Sequence, residues 1–225
     1  KYLRADALSM VFLTATCLVY AMAAIYSIGY HAAEEHEARG NPQAWVNFSR
    51  HSRLFYAGLN VFAWSMICAP LVNGLALLWI AVEITTVVSA LLVALNDTDQ
   101  ASEAAWKYVL IASSGLGIAL LATIFMYYAG SQTLGQSYDL EFTPLITAAH
   151  ELPATPVRLA FVLAVVGFGT KVGLFPVHTW LPDAHAEAPT PVSAMLSGSL
   201  LAVSFYAILR YYQIAQVTLG HDFPQ

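Results

Sequence analysis

Charge is what this chain has least of. Asp, Glu, Lys and Arg make up 10% of its 225 residues, against 58% hydrophobic residues, where soluble domains carry about 25% charge. The shortage excludes an ordinary soluble domain and points to an integral membrane protein. The net charge of −5 is spread over connecting segments without a basic stripe, so no nucleic-acid partner is expected. Cysteine is nearly missing too. Cys17 and Cys68 lie far apart in apolar runs, with no CxxC pair and no Cys/His cluster for zinc, iron–sulfur or attached haem. Both read as packing thiols. No metal site and no cofactor is expected in this chain, so electrons would have to be handled by other chains.

The period-2 alternation of membrane β-strands is lacking, as are an initiator Met and a signal-peptide plan. KYLRADALSM and LGHDFPQ read as cut ends, so a fragment of a longer chain is expected.

What is present is apolar length. Residues 5–29 are long enough to span a ~30 Å hydrocarbon core as one helix. Residues 31–53 hold most of the charge and read as an aqueous connection. Residues 54–95 carry one charge; as a single helix they would measure roughly 63 Å, twice a bilayer. The sequence Ala69-Pro70-Leu71-Val72-Asn73-Gly74 supplies a turn, which predicts helices over 54–70 and 74–95. Further helices are expected over 104–129, 157–176 and 190–215. The fold class is therefore all-α integral membrane, a single membrane domain over 1–225 with about six transmembrane helices. Orientation stays open: Lys1, Arg4, Arg158 and Arg210 fall on one side, and Arg39, Arg50 and Arg53 on the other, joined by Lys107 if it snorkels.

Ionisable groups inside those spans carry the functional signal. Glu83 lies near the midpoint of the third helix, Lys107 about a turn into the fourth, and Lys171 about four turns into the fifth. Each costs about 2.5–3.5 kcal/mol at a helix centre on insertion scales, and such residues face protein or water and mark transport paths. A structural Glu–Lys pair is the alternative, and Lys107 could also snorkel to the interface. After Lys171 the helix is expected to break over Gly173–Pro176, since Pro176 has no N–H for the carbonyl of Val172. Backbone freed at membrane depth must line protein or water, and a broken helix beside a charge is a pointer to an ion site. His178 and His185 flank TWLPDA and could pass protons between Lys171 and water, or simply belong to a rigid plug. Asp183 and Glu187 read as solvated or capping, and Arg210 as a snorkelling helix end.

The stretch FGTKVGLFPVHTWLPDAHAEAPTPVSAMLSG resembles the signature of the antiporter-like, proton-translocating subunits of complex I, Mrp-type sodium/proton antiporters and group 4 membrane-bound hydrogenases. IYSIGYH, WIAVEITT and EAAWKYVLI extend the resemblance over nearly the whole chain, which looks most like the hydrogenase-4 and formate hydrogenlyase component F branch. The resemblance implies a larger fold of about fourteen helices with two inverted five-helix repeats, of which this chain would hold the first. It implies that Glu83 is the glutamate at a neighbouring subunit, Lys171 the pumping lysine of the broken helix, and Lys107 a further lysine toward a central axis. Ala202 stands where complex I subunits usually carry a Lys or His, so Ser197, Ser199, Ser204, Tyr206 and ordered water would have to bridge the axis.

The implied function is a proton-translocating subunit of a redox-driven oxidoreductase complex, itself without redox chemistry, in the plasma (inner) membrane of a prokaryote. Its partners would be the lipid bilayer, further antiporter-like and other membrane subunits, and peripheral redox subunits with Ni–Fe or flavin and iron–sulfur centres. An Mrp-type sodium/proton antiporter subunit is the alternative, and a membrane scaffold that has lost the ion path is a third reading.

Overall fold

The computed structural model describes residues 2–220 and is helical almost throughout. Lys1, counted above for orientation, and residues 221–225 lie outside the described residues. In chain order the helices are α1 (Ala7–Ala38), α2 (Pro42–Cys68), α3 (Leu75–Val93), α4 (Asp99–Leu134), α5 (Phe142–Thr147), α6 (Ala154–Val172), α7 (Leu181–Glu187), α8 (Thr190–Met195) and α9 (Leu201–Leu219). Leu196–Leu200 join α8 to α9 as a π-helical turn. Among the described residues, six segments are long and apolar enough to cross a membrane: Ala7–His36, Pro42–Leu71, Leu75–Asn96, Asp99–Leu134, Ala154–Val172 and Thr190–Leu219.

The charged connection of residues 31–53 is not a loop. α1 continues to Ala38 and α2 already starts at Pro42. The charges support the helix they extend: Arg39 bonds Glu35 at 2.6 Å, a pair one turn apart on a helix face. Asn41 then caps α2 by accepting from the N–H of Gln43, with Pro42 in the first helical position, where its missing N–H costs nothing. With 32 residues α1 is ~48 Å long, so its last turns stand beyond a ~30 Å core. α4 likewise runs 36 residues from its Thr98 cap. α6 stops at Val172, four residues short of the expected 176, and residues 173–180 form the connecting loop.

Successive helices alternate in direction, which defines two faces. Asp6, residues 70–74 and 135–153 lie on the first; residues 39–41, 94–98 and 181–189 lie on the second. α4 and α6 form the tightest pair. Ala112, Gly115, Ala119 and Ala122 of α4 are buried, as are Ala160, Ala164 and Gly167 of α6. A Cβ at Gly167 would strike the backbone of Ala119 and Gly115. Small residues let the two backbones touch, the usual way helices adhere where lipid removes the hydrophobic driving force. α9 covers the other side of α6, α3 and α2 follow on α4, and α8 with the π turn returns to α1.

Candidate site in the membrane interior

The site grows out of the α3–α4–α6 contact. Lys171 sits in the last turn of α6 and is fully buried. Its ammonium donates to Thr86 Oγ1 on α3 at 2.7 Å and to the Tyr108 hydroxyl on α4, and lies 4.7 Å from the centre of the Tyr108 ring. Tyr108 in turn shares a hydrogen bond of 2.7 Å with Ser89 Oγ. Glu83 occupies the same face of α3 one turn before Thr86, and its Oε1 accepts from Ser113 Oγ at 3.1 Å. Its Oε2 is buried and has no partner among the described residues. The ammonium and the carboxylate make no direct ion pair: hydroxyls hold both.

The end of α6 is shaped to stop there. Gly173 adopts φ 81°, and the N–H groups of Gly173 and Leu174 return to the carbonyls of Thr170 and Gly169, a Schellman closure that satisfies the last turn. A Cβ at Gly173 would strike the Leu181 side chain. Pro176 lies three residues on, in the loop. Trp180 closes the loop over the site: fully buried, it donates from Nε1 to the Thr170 carbonyl at 2.9 Å and packs on Tyr108 with ring centres 4.6 Å apart. Non-helical backbone at this depth is thereby lined by protein, as a membrane interior demands.

The two histidines are not joined to Lys171 by hydrogen bonds among the described residues. His178 packs on Phe175, with a buried Nδ1 that has no partner. His185 Nδ1 lies 3.0 Å from Ser193 Oγ, and burial pushes its pKa below the ordinary value, which keeps it neutral at pH 7.

Lys107, expected toward a central axis, turns its side chain away from the α3–α4–α6 contact. Neighbours on a helix point about 100° apart; Tyr108 faces the core, so Lys107 faces out. Its ammonium meets Glu103 at 2.7 Å and Asp183 of α7 at 3.0 Å, half-exposed at the second face. Asp183, read as solvated, is therefore the partner that ties the loop to α4. Asn96 adds a second tie, donating to the Glu187 carbonyl at 3.3 Å.

Sequence reasoning missed most of the hydroxyl set. Thr86 and Ser89 follow Glu83 by three and six residues, a spacing that marks one helix face and was legible. Tyr108 and Trp180 carried no such signal. Along the last helix no direct hydrogen bond joins the four expected bridging side chains to one another among the described residues. Ser204 Oγ bonds its own Leu200 carbonyl, and Ser197 is exposed. Tyr206 is committed to Ser9, Arg210 and the Pro70 carbonyl. Ser199 Oγ alone is buried without a partner, in the π turn.

Arg210 does not snorkel. It is 1% exposed and binds Asp6 through two bonds of 2.7 Å, with further bonds to Ser9, Tyr206 and Gln213 and the rings of Phe142 and Tyr206 on either side. The guanidinium holds the Asp6 carboxyl well below the usual carboxylate range. This pair staples the start of α1 to α9 at the first face.

Known proteins resemble this chain. The family described as NADH:quinone oxidoreductase/Mrp antiporter, TM, matches residues 72–221. A hydrogenase-4 component F homolog of Methylacidiphilum infernorum is 36% identical over 207 residues, covering 92% of this chain and 42% of that protein. An NAD(P)H-quinone oxidoreductase chain 4 of Synechococcus is 31% identical over 167 residues, covering 74% of this chain and 30% of that protein. A chain in the structure of a membrane-bound sulfane sulfur reductase, an archaeal respiratory membrane complex, shares the fold, with a TM-score of 0.71 and 22% identity, covering 93% of this chain and 39% of that one. The chain spans less than half the length of these relatives. It belongs to the transmembrane family of NADH:quinone oxidoreductases and Mrp antiporters.

Proposed function

We propose that this chain carries protons through one half-channel of an antiporter-like subunit in a redox-driven complex, of the hydrogenase or complex I kind, in the plasma membrane of a prokaryote. One observation carries the reading: Lys171 is completely buried yet held by neutral hydroxyls, while a carboxylate oxygen of Glu83 stands buried and unpartnered one turn away on α3. A charge kept for packing is treated differently in this same chain. Arg210 has a bidentate carboxylate and every nitrogen bonded. Buried charge is costly unless fully paired, so the looser arrangement at Lys171 suits a group that changes protonation.

In this mechanism Lys171 accepts a proton and its ammonium is steadied by Thr86, Tyr108 and the field of Glu83. When a neighbouring subunit or the remainder of the chain draws the Glu83 charge away, the ammonium loses its compensation and releases that proton. The exchange with water runs past the Trp180 loop, whose outer end is held by the exposed Lys107–Asp183 and Asn96–Glu187 ties. Those ties are weak enough to open, since exposed pairs contribute about 0–1 kcal/mol. Electrons are handled by peripheral partners with Ni–Fe or with flavin and iron–sulfur centres, and this chain holds no cofactor of its own. Protons moved per electron, measured on the whole complex in proteoliposomes, should fall in Glu83→Gln with electron transfer retained. An unchanged ratio would remove Glu83 from the path.

The last helix favours a second reading, a scaffold that has lost the path, because Ala202 carries no ionisable group and Ser204 and Tyr206 are engaged with other groups of the chain. An Mrp-type antiporter would use the same groups, and sodium-dependent transport without an electron donor would distinguish it. Nickel, iron and flavin content of the native complex identifies the redox partner.

A further inference from the structure

On the second face, between the ends of α2 and α3, lies an open groove of about 720 Å³ that the lysine site does not use. Arg50 and His51 stand at its mouth, and Leu54 and Val61 of α2 face Leu91 and Leu95 of α3 and its extension along its walls. Its floor closes where the helices touch: a Cβ at Gly58 would come within 2.6 Å of Leu92 Cδ2. The groove therefore opens outward and not toward Lys171. Arg50 and Arg53 make no ion pair or side-chain hydrogen bond with another described residue. Arg4, Arg39 and Arg210 all have carboxylate partners. A second, shallower hollow of about 480 Å³ adjoins the first, with Arg50, Arg53 and Trp45 in its wall. Asp97 is the one acid in the main groove.

Depth completes the picture. α2 has 27 residues and is ~40 Å long, about 10 Å more than the hydrocarbon core. Arg50 comes eight residues, ~12 Å, after Pro42. With that excess at the second face, Trp45 falls at headgroup level, Arg50 and His51 fall within a few Å of the hydrocarbon boundary, and the long Arg53 side chain reaches back to it by snorkelling. From Leu54 to Val61 the wall runs ~10 Å deeper into the apolar zone. Unpaired cations above an apolar slot fit a molecule that is anionic at one end and hydrocarbon at the other. Basic pockets between membrane helices suit such headgroups.

We propose that this groove binds one anionic phospholipid, with its phosphate between Arg50 and His51, Arg53 beside it, and an acyl chain along Leu54, Val61, Leu91 and Leu95. The bound lipid would fill the seam between α2 and α3 that protein side chains leave open.

The test is native mass spectrometry of the full-length protein in its complex, in mild detergent, titrated with phosphatidylglycerol or with phosphatidylcholine. One phosphatidylglycerol per chain should be retained in preference to phosphatidylcholine, and retention should fall as ionic strength rises. Arg50→Gln should weaken retention about five-fold, and Arg50→Gln with Arg53→Gln roughly thirty-fold. Leu91 is 70% exposed, so Leu91→Trp can fill the slot without disturbing the core and should expel lipid whatever its headgroup. Equal retention of the two lipids would overturn the proposal. So would phosphatidylglycerol binding that none of the three variants alters, the result expected if a neighbouring helix occupies the groove.

Discussion

Two buried cations in one bundle give opposite forecasts for the same substitution. Arg210→Met removes the partner of Asp6, and breaking a buried pair from one side costs about 3–5 kcal/mol. Arg4 lies 3.4 Å from Asp6 and Ser9 N–H still donates to it, so the loss should sit near the lower bound, about 3 kcal/mol. Lys171→Met deletes two hydrogen bonds from a charged donor, about 1.5–3 kcal/mol each. It also removes the several kcal/mol that burying an ammonium costs. The abandoned hydroxyls are not orphaned, because Thr86 Oγ1 can bond the Val82 carbonyl at 3.3 Å and Tyr108 keeps Ser89. Methionine fills the lysine stem's volume. The terms nearly cancel, so Lys171→Met should be within about 1.5 kcal/mol of wild type. Thermal unfolding of the full-length protein in nanodiscs, followed by tryptophan fluorescence, measures both. Arg210→Met should melt several degrees lower and Lys171→Met should not. Equal losses would mean that Lys171 is a packing residue, and the scaffold reading would stand.

Three further outcomes follow from single contacts. Tyr108→Phe keeps the ring against Trp180 and deletes one bond to the ammonium, worth about 1.5–3 kcal/mol, so coupled proton transport should slow roughly 10–150-fold at normal assembly; an unchanged rate removes the hydroxyl from the path. Lys107→Glu should loosen the Trp180 loop and raise proton leak in proteoliposomes with little change in stability, and Lys107→Asp combined with Asp183→Lys should restore it; leak that the exchange leaves unrelieved would refute the tie. The Asp6 carboxyl titrates lower in the folded protein than the ~3.9 of an unfolded chain. Its stabilisation is therefore present above about pH 4 and lost as the pH falls below that. Acid melting curves of Asp6→Asn should start lower and stay flatter than wild type between pH 5 and pH 2.

How much was legible beforehand follows from what each signal depends on. The spans could be read because lipid demands apolar length, and the helix stop because Gly173 and Pro176 act locally. The charged run of 31–53 misled: charge was read as a loop, but charged residues also extend helices through Glu35–Arg39 pairing, and Asn41-Pro42 was the overlooked start signal. Glu83 and Lys171 stood out because charge in a span is rare. Their hydroxyl partners, Lys107's outward turn and the Asp6–Arg210 staple depend on which helix faces which, across 204 positions in the last case. No local pattern encodes that.

The most direct test of the central claim is the number of protons moved per electron by the whole complex carrying Lys171→Met, with assembly and electron flux followed in the same preparation. A lower ratio at undiminished assembly and continuing electron flow is the predicted result. A wild-type ratio would contradict it and leave Lys171 without a role in transport.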